Sequence, residues 1–305
     1  MKGIQGGLDM LFILRPMLFY PVWTFFLAGS LEAGMRLNGN WQFPVLPVIF
    51  SVTLITGSAF ILNQIKDKET DRINNKLFFI ADGIVKEKSA FIEAGVLAFA
   101  GLLIVYFISF KIFLLAAALF LVSGICYNYP PFSWKDRPVM GMVTNSLAGI
   151  FIFSMGWIAR GGSGYIPLYV LPYAVAGGAV YLDTTLPDVK GDREAGKITF
   201  AVKYGHGLTI RLASILEISV VITAFLLSDR FIFYASVVVL PFFVLSAIKP
   251  DLKNGVRAVK FSIIILLAGV CWFYPALFAV VMVAFFITKI YYKKRFNFNY
   301  PSLKA

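Results

Sequence analysis

In this 305-residue chain the side chains best suited to chemistry are few and paired. One stretch reads Asn63-Gln64-Ile65-Lys66-Asp67-Lys68-Glu69-Thr70-Asp71, and a second reads Asp183-Thr184-Thr185-Leu186-Pro187-Asp188-Val189-Lys190-Gly191-Asp192. Asn63, Asp67 and Asp71 stand four apart, as do Asp188 and Asp192, so on a helix each set shares one face. The order Asp67, Asp71, Arg72, Lys76 recurs as Asp188, Asp192, Arg193, Lys197, offset by 121 residues. Carboxylates gathered in a small volume raise one another's pKa unless a cation intervenes. Oxygen donors without sulfur or imidazole select a hard cation such as Mg2+, which keeps waters and bridges phosphate oxygens. Asn63, Asp67, Asp71, Asp188 and Asp192 are therefore the expected metal ligands, and Arg72, Lys135, Arg137 and Lys190 the expected cationic contacts to a diphosphate. Lys135 follows a Tyr-Pro-Pro turn stiff enough to aim it. One such Asp pair alone would read as a solvated helix end. Two matched pairs do not.

The elements that must position these residues are membrane helices. Apolar residues make up 59% of the chain and charged ones 14%, with a mean hydropathy of +0.80, far from the roughly 25% charge of a soluble domain. Apolar runs of about 20 residues, enough to cross the hydrocarbon core as helix, predict spans near 9–33, 44–66, 89–110, 112–128, 139–159, 165–186, 207–228, 231–248 and 256–274. Another apolar segment follows at 275–292, with Pro275 offering the break between the two. The expected fold is an all-α polytopic membrane helical bundle of nine transmembrane helices with a tenth C-terminal apolar segment. It reads as one membrane-embedded domain over 1–305, in two pseudo-repeated halves with motifs at 63–76 and 184–197. The first run lacks a small-residue cleavage site and reads as a retained helix.

Charge sets the sidedness. Sixteen Lys and Arg residues lie in the connections after the second, fourth, sixth and eighth spans, against only Arg36, Lys111, Arg160 and Arg230 in the others. The basic face, which carries both acidic motifs, is expected to be cytoplasmic in an integral cell-membrane protein. The net charge of +12 is thereby absorbed by membrane topology, and no nucleic-acid partner is expected. Cys126 and Cys271 sit inside apolar segments and offer neither a disulfide framework nor a thiolate site.

These motifs resemble those of the UbiA family of intramembrane prenyltransferases. The first family motif, Asn-Asp-x-x-Asp-x-x-x-Asp, is matched by Asn63, Asp67 and Asp71, with Gln64 in place of its first Asp; an amide oxygen can still ligate a cation. The second is matched by Leu186 through Arg193 and on through Gly196, Thr199 and Gly205. Tyr127-Asn128-Tyr129-Pro130-Pro131 with Lys135 and Arg137 looks like the family's Tyr/Pro/Lys segment, and Arg15-Pro16 like its first-helix start. The resemblance implies Mg2+-dependent transfer of a prenyl group from an allylic prenyl diphosphate, drawn from membrane lipid, to an unidentified lipophilic or aromatic acceptor. Asp67, Asp71, Asp188, Asp192 and Lys135 would be catalytic. Asn63, Arg72, Tyr127, Tyr129, Arg137, Asn145 and Lys190 would bind substrate, the tyrosines and Trp134 offering π faces to an allylic cation. A secondary transporter with an acidic cation site is the alternative from another class, although such sites lie near the bilayer midplane rather than at one edge. A CDP-alcohol phosphotransferase would need an Asp-Gly-x-x-Ala-Arg core, and Asp82-Gly83 continues Ile84-Val85-Lys86-Glu87.

Overall fold

The computed structural model describes residues 2–38, 40–74 and 78–301. Every regular element among them is helical. In chain order these are α1 (Lys2–Phe12), α2 (Phe19–Leu37), α3 (Val45–Lys66), α4 (Lys68–Ile73), α5 (Phe78–Ala81), α6 (Glu87–Ile108), α7 (Phe110–Leu119), α8 (Met140–Ala159), α9 (Leu171–Thr184), α10 (Val189–Glu194), α11 (Phe200–Leu226), α12 (Arg230–Ile248), α13 (Leu252–Phe273) and α14 (Pro275–Phe296). Eight helical stretches among the described residues are long and apolar enough to cross a membrane, and Phe110–Cys126 is a shorter apolar one. The fourteen-residue α9 is preceded by a 3-10 turn at Leu168–Val170. The chain is a multi-pass membrane protein, and large side chains such as Phe99, Phe107, Phe225 and Trp272 stand exposed around it, as lipid-facing residues must.

Lipid is as apolar as the helices, so the bundle needs close packing and polar staples to hold together. Gly29 and Gly156 supply the closest crossing: a Cβ at Gly156 would lie 1.8 Å from the Phe26 carbonyl oxygen, and one at Gly29 2.0 Å from that of Phe153. Neighbouring helices are also joined by serines donating across the seam. Ser51 bonds the Gly101 carbonyl and Ser58 that of Ala94, each at 2.7 Å, joining α3 to α6. Ser146 bonds Ala174 at 2.9 Å between α8 and α9, and Ser214 bonds Phe243 at 2.8 Å between α11 and α12.

The first span differs from expectation. The run 9–33 is not one helix: α1 stops at Phe12, Arg15 adopts a left-handed conformation (φ 59°), and Pro16 opens a 3-10 turn before α2. Proline removes a donor and disfavours helix in the residue before it. The segment expected at 207–228 starts just after Gly205, whose non-helical backbone (φ 79°) sets it off from the short helical turn at the start of α11. At the C-terminus α14 runs antiparallel to α2. Tyr274 at its start meets Ser30 (2.9 Å), the Tyr20 hydroxyl bonds the Val281 carbonyl (2.7 Å), and Arg295 near its end reaches Asp9 through two bonds of 3.2 Å. The Lys293-Lys294-Arg295 cluster thus returns to the end of the bundle that carries Asp67. Lys76, the end of the first motif, lies outside the described residues.

Because backbone faces backbone at Gly156, Gly156→Val should lower stability by about 3 kcal/mol, the upper end of typical overpacking. Gly95→Val, where a Cβ meets nothing within 4 Å, should be neutral. Thermal unfolding of the detergent-solubilised protein compares them, and equal losses would contradict this packing.

Candidate active site

Both acidic motifs sit where a long helix breaks into a short one. Asp67 leaves helical geometry between α3 and α4 (φ −93°, ψ 8°), yet the backbone bonds Asp67 N–H to Asn63 C=O (2.8 Å) and Asp71 N–H to Asp67 C=O (2.7 Å) persist across the break. The three motif side chains therefore keep their four-residue relation. In the second motif a 3-10 turn, Leu186–Asp188, leads into α10, which Gly196 (φ 73°) terminates. The Lys197 N–H then bonds back to the Asp192 carbonyl at 2.8 Å, the reversal typical of a glycine-ended helix. That reversal carries the Lys197 side chain back over the motif.

The two motifs meet directly. Asn74, at the end of α4, accepts from the Gly191 N–H at 3.1 Å, and a Cβ at residue 191 would lie 2.4 Å from Asn74 Nδ2. Asp67 lies at the centre. The Lys135 ammonium donates to its Oδ1 at 2.7 Å, and the Lys197 ammonium bonds the same oxygen while standing 3.9 Å from Asp192. Asn63 donates to the other oxygen, Oδ2, at 2.7 Å. Burial alone would raise the Asp67 carboxyl, but the two ammoniums hold it below its ordinary value. Burial pulls Lys197 down but Asp67 outweighs it and holds it up. Lys135, 6% exposed, is held low by burial, and neighbouring Lys197 adds to that. Two cations thus converge on one carboxylate oxygen, with Asp192 also beside Lys197, and ammoniums gathered in this way suit an incoming anion.

Lys135 is aimed by a shaped approach rather than by the prolines alone. The helix continuing α7 widens to π geometry over Phe120–Cys126, and the Lys135 N–H bonds the Tyr127 carbonyl at 3.2 Å. Tyr127 links through side-chain hydrogen bonds to Asn145 and Tyr181, bringing α8 and α9 beside the cluster.

Not every expected residue is brought in. Arg72 is exposed and donates to the Ala81 carbonyl at the end of α5, and Arg137 is exposed and turns to the Pro131 carbonyl at 3.1 Å. Lys190 is exposed. Tyr129 stacks against Lys66, whose ammonium lies 4.8 Å from its ring centroid. Asp71 and Asp188 are half-buried on their motif helices, and Asp192 is buried. Asp183 is fully buried, and His206 is exposed as a surface residue should be. Gln64, which stands in the place of the family motif's first Asp, is 2% exposed and donates to the Ile13 and Phe60 carbonyls at 2.7 and 3.1 Å, holding the broken end of the first span. Lys197, Asn74 and Asn128 were not singled out from sequence; for Lys197 the signal was its place in the repeated order.

The whole chain can now be set beside known proteins. The UbiA prenyltransferase family matches residues 21–255. The chain belongs to that family. Its relatives include the bacteriochlorophyll synthase 34 kDa chain of Chloroflexus aurantiacus, 23% identical over 66% of this chain and 65% of that protein. The digeranylgeranylglyceryl phosphate synthase of Methanospirillum hungatei is 33% identical over 70% of this chain and 76% of its own length. The chain spans no more than 65% of the length of the first three curated relatives it matches. Among solved structures, a UbiA homolog from Archaeoglobus fulgidus bound to GPP and Mg2+ shares the fold, with a TM-score of 0.65 at 19% identity over 86% of this chain and 99% of that one.

Removing Asp67 strands two buried ammoniums. Asp67→Ala should cost ~3–5 kcal/mol, the usual loss on breaking a buried pair, and adding Lys135→Met should recover part of it in thermal unfolding. A double variant losing as much as the two single losses combined would contradict the coupling. With its folded pKa below the unfolded value of 3.8, Asp67 contributes fully above that value, and its contribution fades as pH falls through the folded pKa.

Proposed function

We propose that this chain transfers a prenyl group from an allylic prenyl diphosphate to a lipophilic or aromatic acceptor, releasing diphosphate. The observation that carries this reading is the convergence of Lys135 and Lys197 on Asp67 at the contact between the two acidic motifs. The family and the GPP- and Mg2+-bound relative support the same assignment.

The donor set fits Mg2+. Carboxylates and one amide oxygen are hard ligands, and among the described residues no three His, Cys, Asp or Glu side chains form a ready-made cage. Magnesium characteristically completes such a sparse set with waters and phosphate oxygens. Asn63, Asp67, Asp71, Asp188 and Asp192 would hold it together with the diphosphate. Bound there, the metal supplies Lewis-acid neutralisation of the leaving group.

The chain's own part is electrostatic. As the allylic C–O bond breaks, negative charge gathers on the departing diphosphate. Lys135 and Lys197, already gathered at this point, can exchange Asp67 for phosphate oxygens. Cations fixed in advance need no reorganisation as the bond breaks, and that is where preorganised charge lowers a barrier most. Tyr127, on the connection that carries Lys135, offers an aromatic face to the allylic cation, whereas the Tyr129 ring is already taken by Lys66. The membrane supplies both lipophilic reactants, and the sixteen-to-four bias of basic residues supports a site facing the cytoplasm.

Purified protein with Mg2+, labelled farnesyl or geranylgeranyl diphosphate and a lipid extract should yield a prenylated product, identified by mass, with release of diphosphate. Asp188→Ala should abolish it. Lys197→Met should raise the KM for prenyl diphosphate roughly tenfold or more, the scale of one charged hydrogen bond, while exposed Lys249→Met should not. Full activity in Asp188→Ala would refute the assignment.

A further inference from the structure

We propose that Asn128 is a positioning residue for the first acidic motif, fixing which pole of the Asn63 amide faces the site; the proposal rests on the functional reading above. Asn128 is 2% exposed and lies just past the π-helical turn Phe120–Cys126. A π turn shifts the backbone pairing by one residue, as in the bond from Tyr127 N–H to Val122 C=O at 3.0 Å. The Asn128 amide nitrogen takes up carbonyls at this turn, donating to Ser123 C=O at 3.1 Å and Gly124 C=O at 2.9 Å. With both N–H bonds directed at carbonyls, its own oxygen is left to accept, and it accepts from Asn63 Nδ2 at 3.1 Å. The second hydrogen of that Asn63 nitrogen goes to Asp67 Oδ2 at 2.7 Å.

Donor and acceptor roles therefore run in one direction, from the turn through Asn128 and Asn63 to Asp67. Both the Asp67 carboxylate and the Asn128 oxygen can only accept here, so a flipped Asn63 would set its oxygen against two others. The flip is excluded, and the Asn63 carbonyl is the pole that remains for a cation. The same bond holds Asp67 with Oδ2 on Asn63 and Oδ1 on the lysines. Asn128 itself touches neither lysine nor either carboxylate among the bonds described, so its effect must pass through Asn63.

Two substitutions separate this role from a local structural one. Asn128→Ser keeps a hydroxyl able to bond the carbonyl four residues back, as Ser123 already does to Leu119, but it is too short to reach Asn63. Asn128→Asp keeps an acceptor for Asn63 and gives up the donors to the turn. The readout is the rise in unfolding temperature when Mg2+ and inorganic pyrophosphate are added to the purified full-length protein without acceptor, titrated in Mg2+. Asn128→Ser should keep the ligand-free unfolding temperature while its Mg2+ midpoint moves up tenfold or more, the usual scale for a residue supporting a ligand. Asn128→Asp should do the reverse, unfolding earlier with a midpoint within about threefold of wild type, since its acceptor oxygen stays where Asn63 needs it. A wild-type midpoint in Asn128→Ser would overturn the positioning role alone. No stabilisation of the wild type by Mg2+ and pyrophosphate would overturn the functional reading and this role with it.

Discussion

Asp67 shared between two ammoniums is the constraint that organises the motif end of this molecule. Each of the three charges is largely withdrawn from water and is tolerable only because the others are present. Their sources are far apart in the chain: Asp67 ends α3, Lys135 arrives on the connection after α7, and Lys197 returns over the second motif by way of Gly196. Closing this cluster therefore requires three separate parts of the bundle to be in register. Lys197 also faces Asp192, so two ammoniums and two carboxylates are held close together. An anion bearing its own divalent metal would satisfy both the lysines and the remaining carboxylates, which a neutral ligand would not.

The rest of the bundle makes such a cluster affordable by keeping polar chemistry elsewhere local. Most hydroxyls within the spans bond a carbonyl on their own helix or the adjoining one, as Ser51, Ser58, Ser146 and Ser214 do. At the opposite end of α2, Arg36 is held by Glu32 and donates to the Leu227 carbonyl at 2.8 Å, tying α2 to the turn between α11 and α12. Charges buried at that end serve to fasten helices; those at the motif end gather two lysines between the two acidic motifs.

What could be read from sequence divides along physical lines. Hydropathy and spacing depend on local chain geometry, so the membrane spans, the break at Pro275 and the pairing of acidic motifs were all legible. Side-chain direction in the connections was not. Arg72, Arg137, Lys190 and Lys197 are equivalent as letters near the motifs, but a glycine-ended helix turns Lys197 inward while Arg72 bonds the Ala81 carbonyl of α5 and Arg137 that of Pro131. The direction taken by Gln64 follows from the same kind of local geometry. The helical turn that aligns Asn63 with Asp67 points its neighbour roughly 100° away, toward the chain break before α2, where an amide can donate to the Ile13 carbonyl and a carboxylate could not.

The segments that the family match leaves out also pack on each other. Residues before 21 and α14 meet through Asp9, which is 4% exposed and receives Tyr291 and both bonds from Arg295, while Phe12 stacks on Tyr291 with centroids 3.6 Å apart. Without α14, Asp9 would be a buried carboxylate with no counter-charge from that side; without α1, Tyr291 would lose both its acceptor and its stacking partner. Phe79 on α5 packs against Tyr291, Tyr292 and Phe296, so the pair also braces the loop to whose Ala81 carbonyl Arg72 of the first motif is bonded. The additional C-terminal helix is thus coupled through packing to the connection that follows Asp67 and Asp71, and the two segments depend on each other: loss of either leaves the other with a buried polar group short of its partner at the motif end of the bundle.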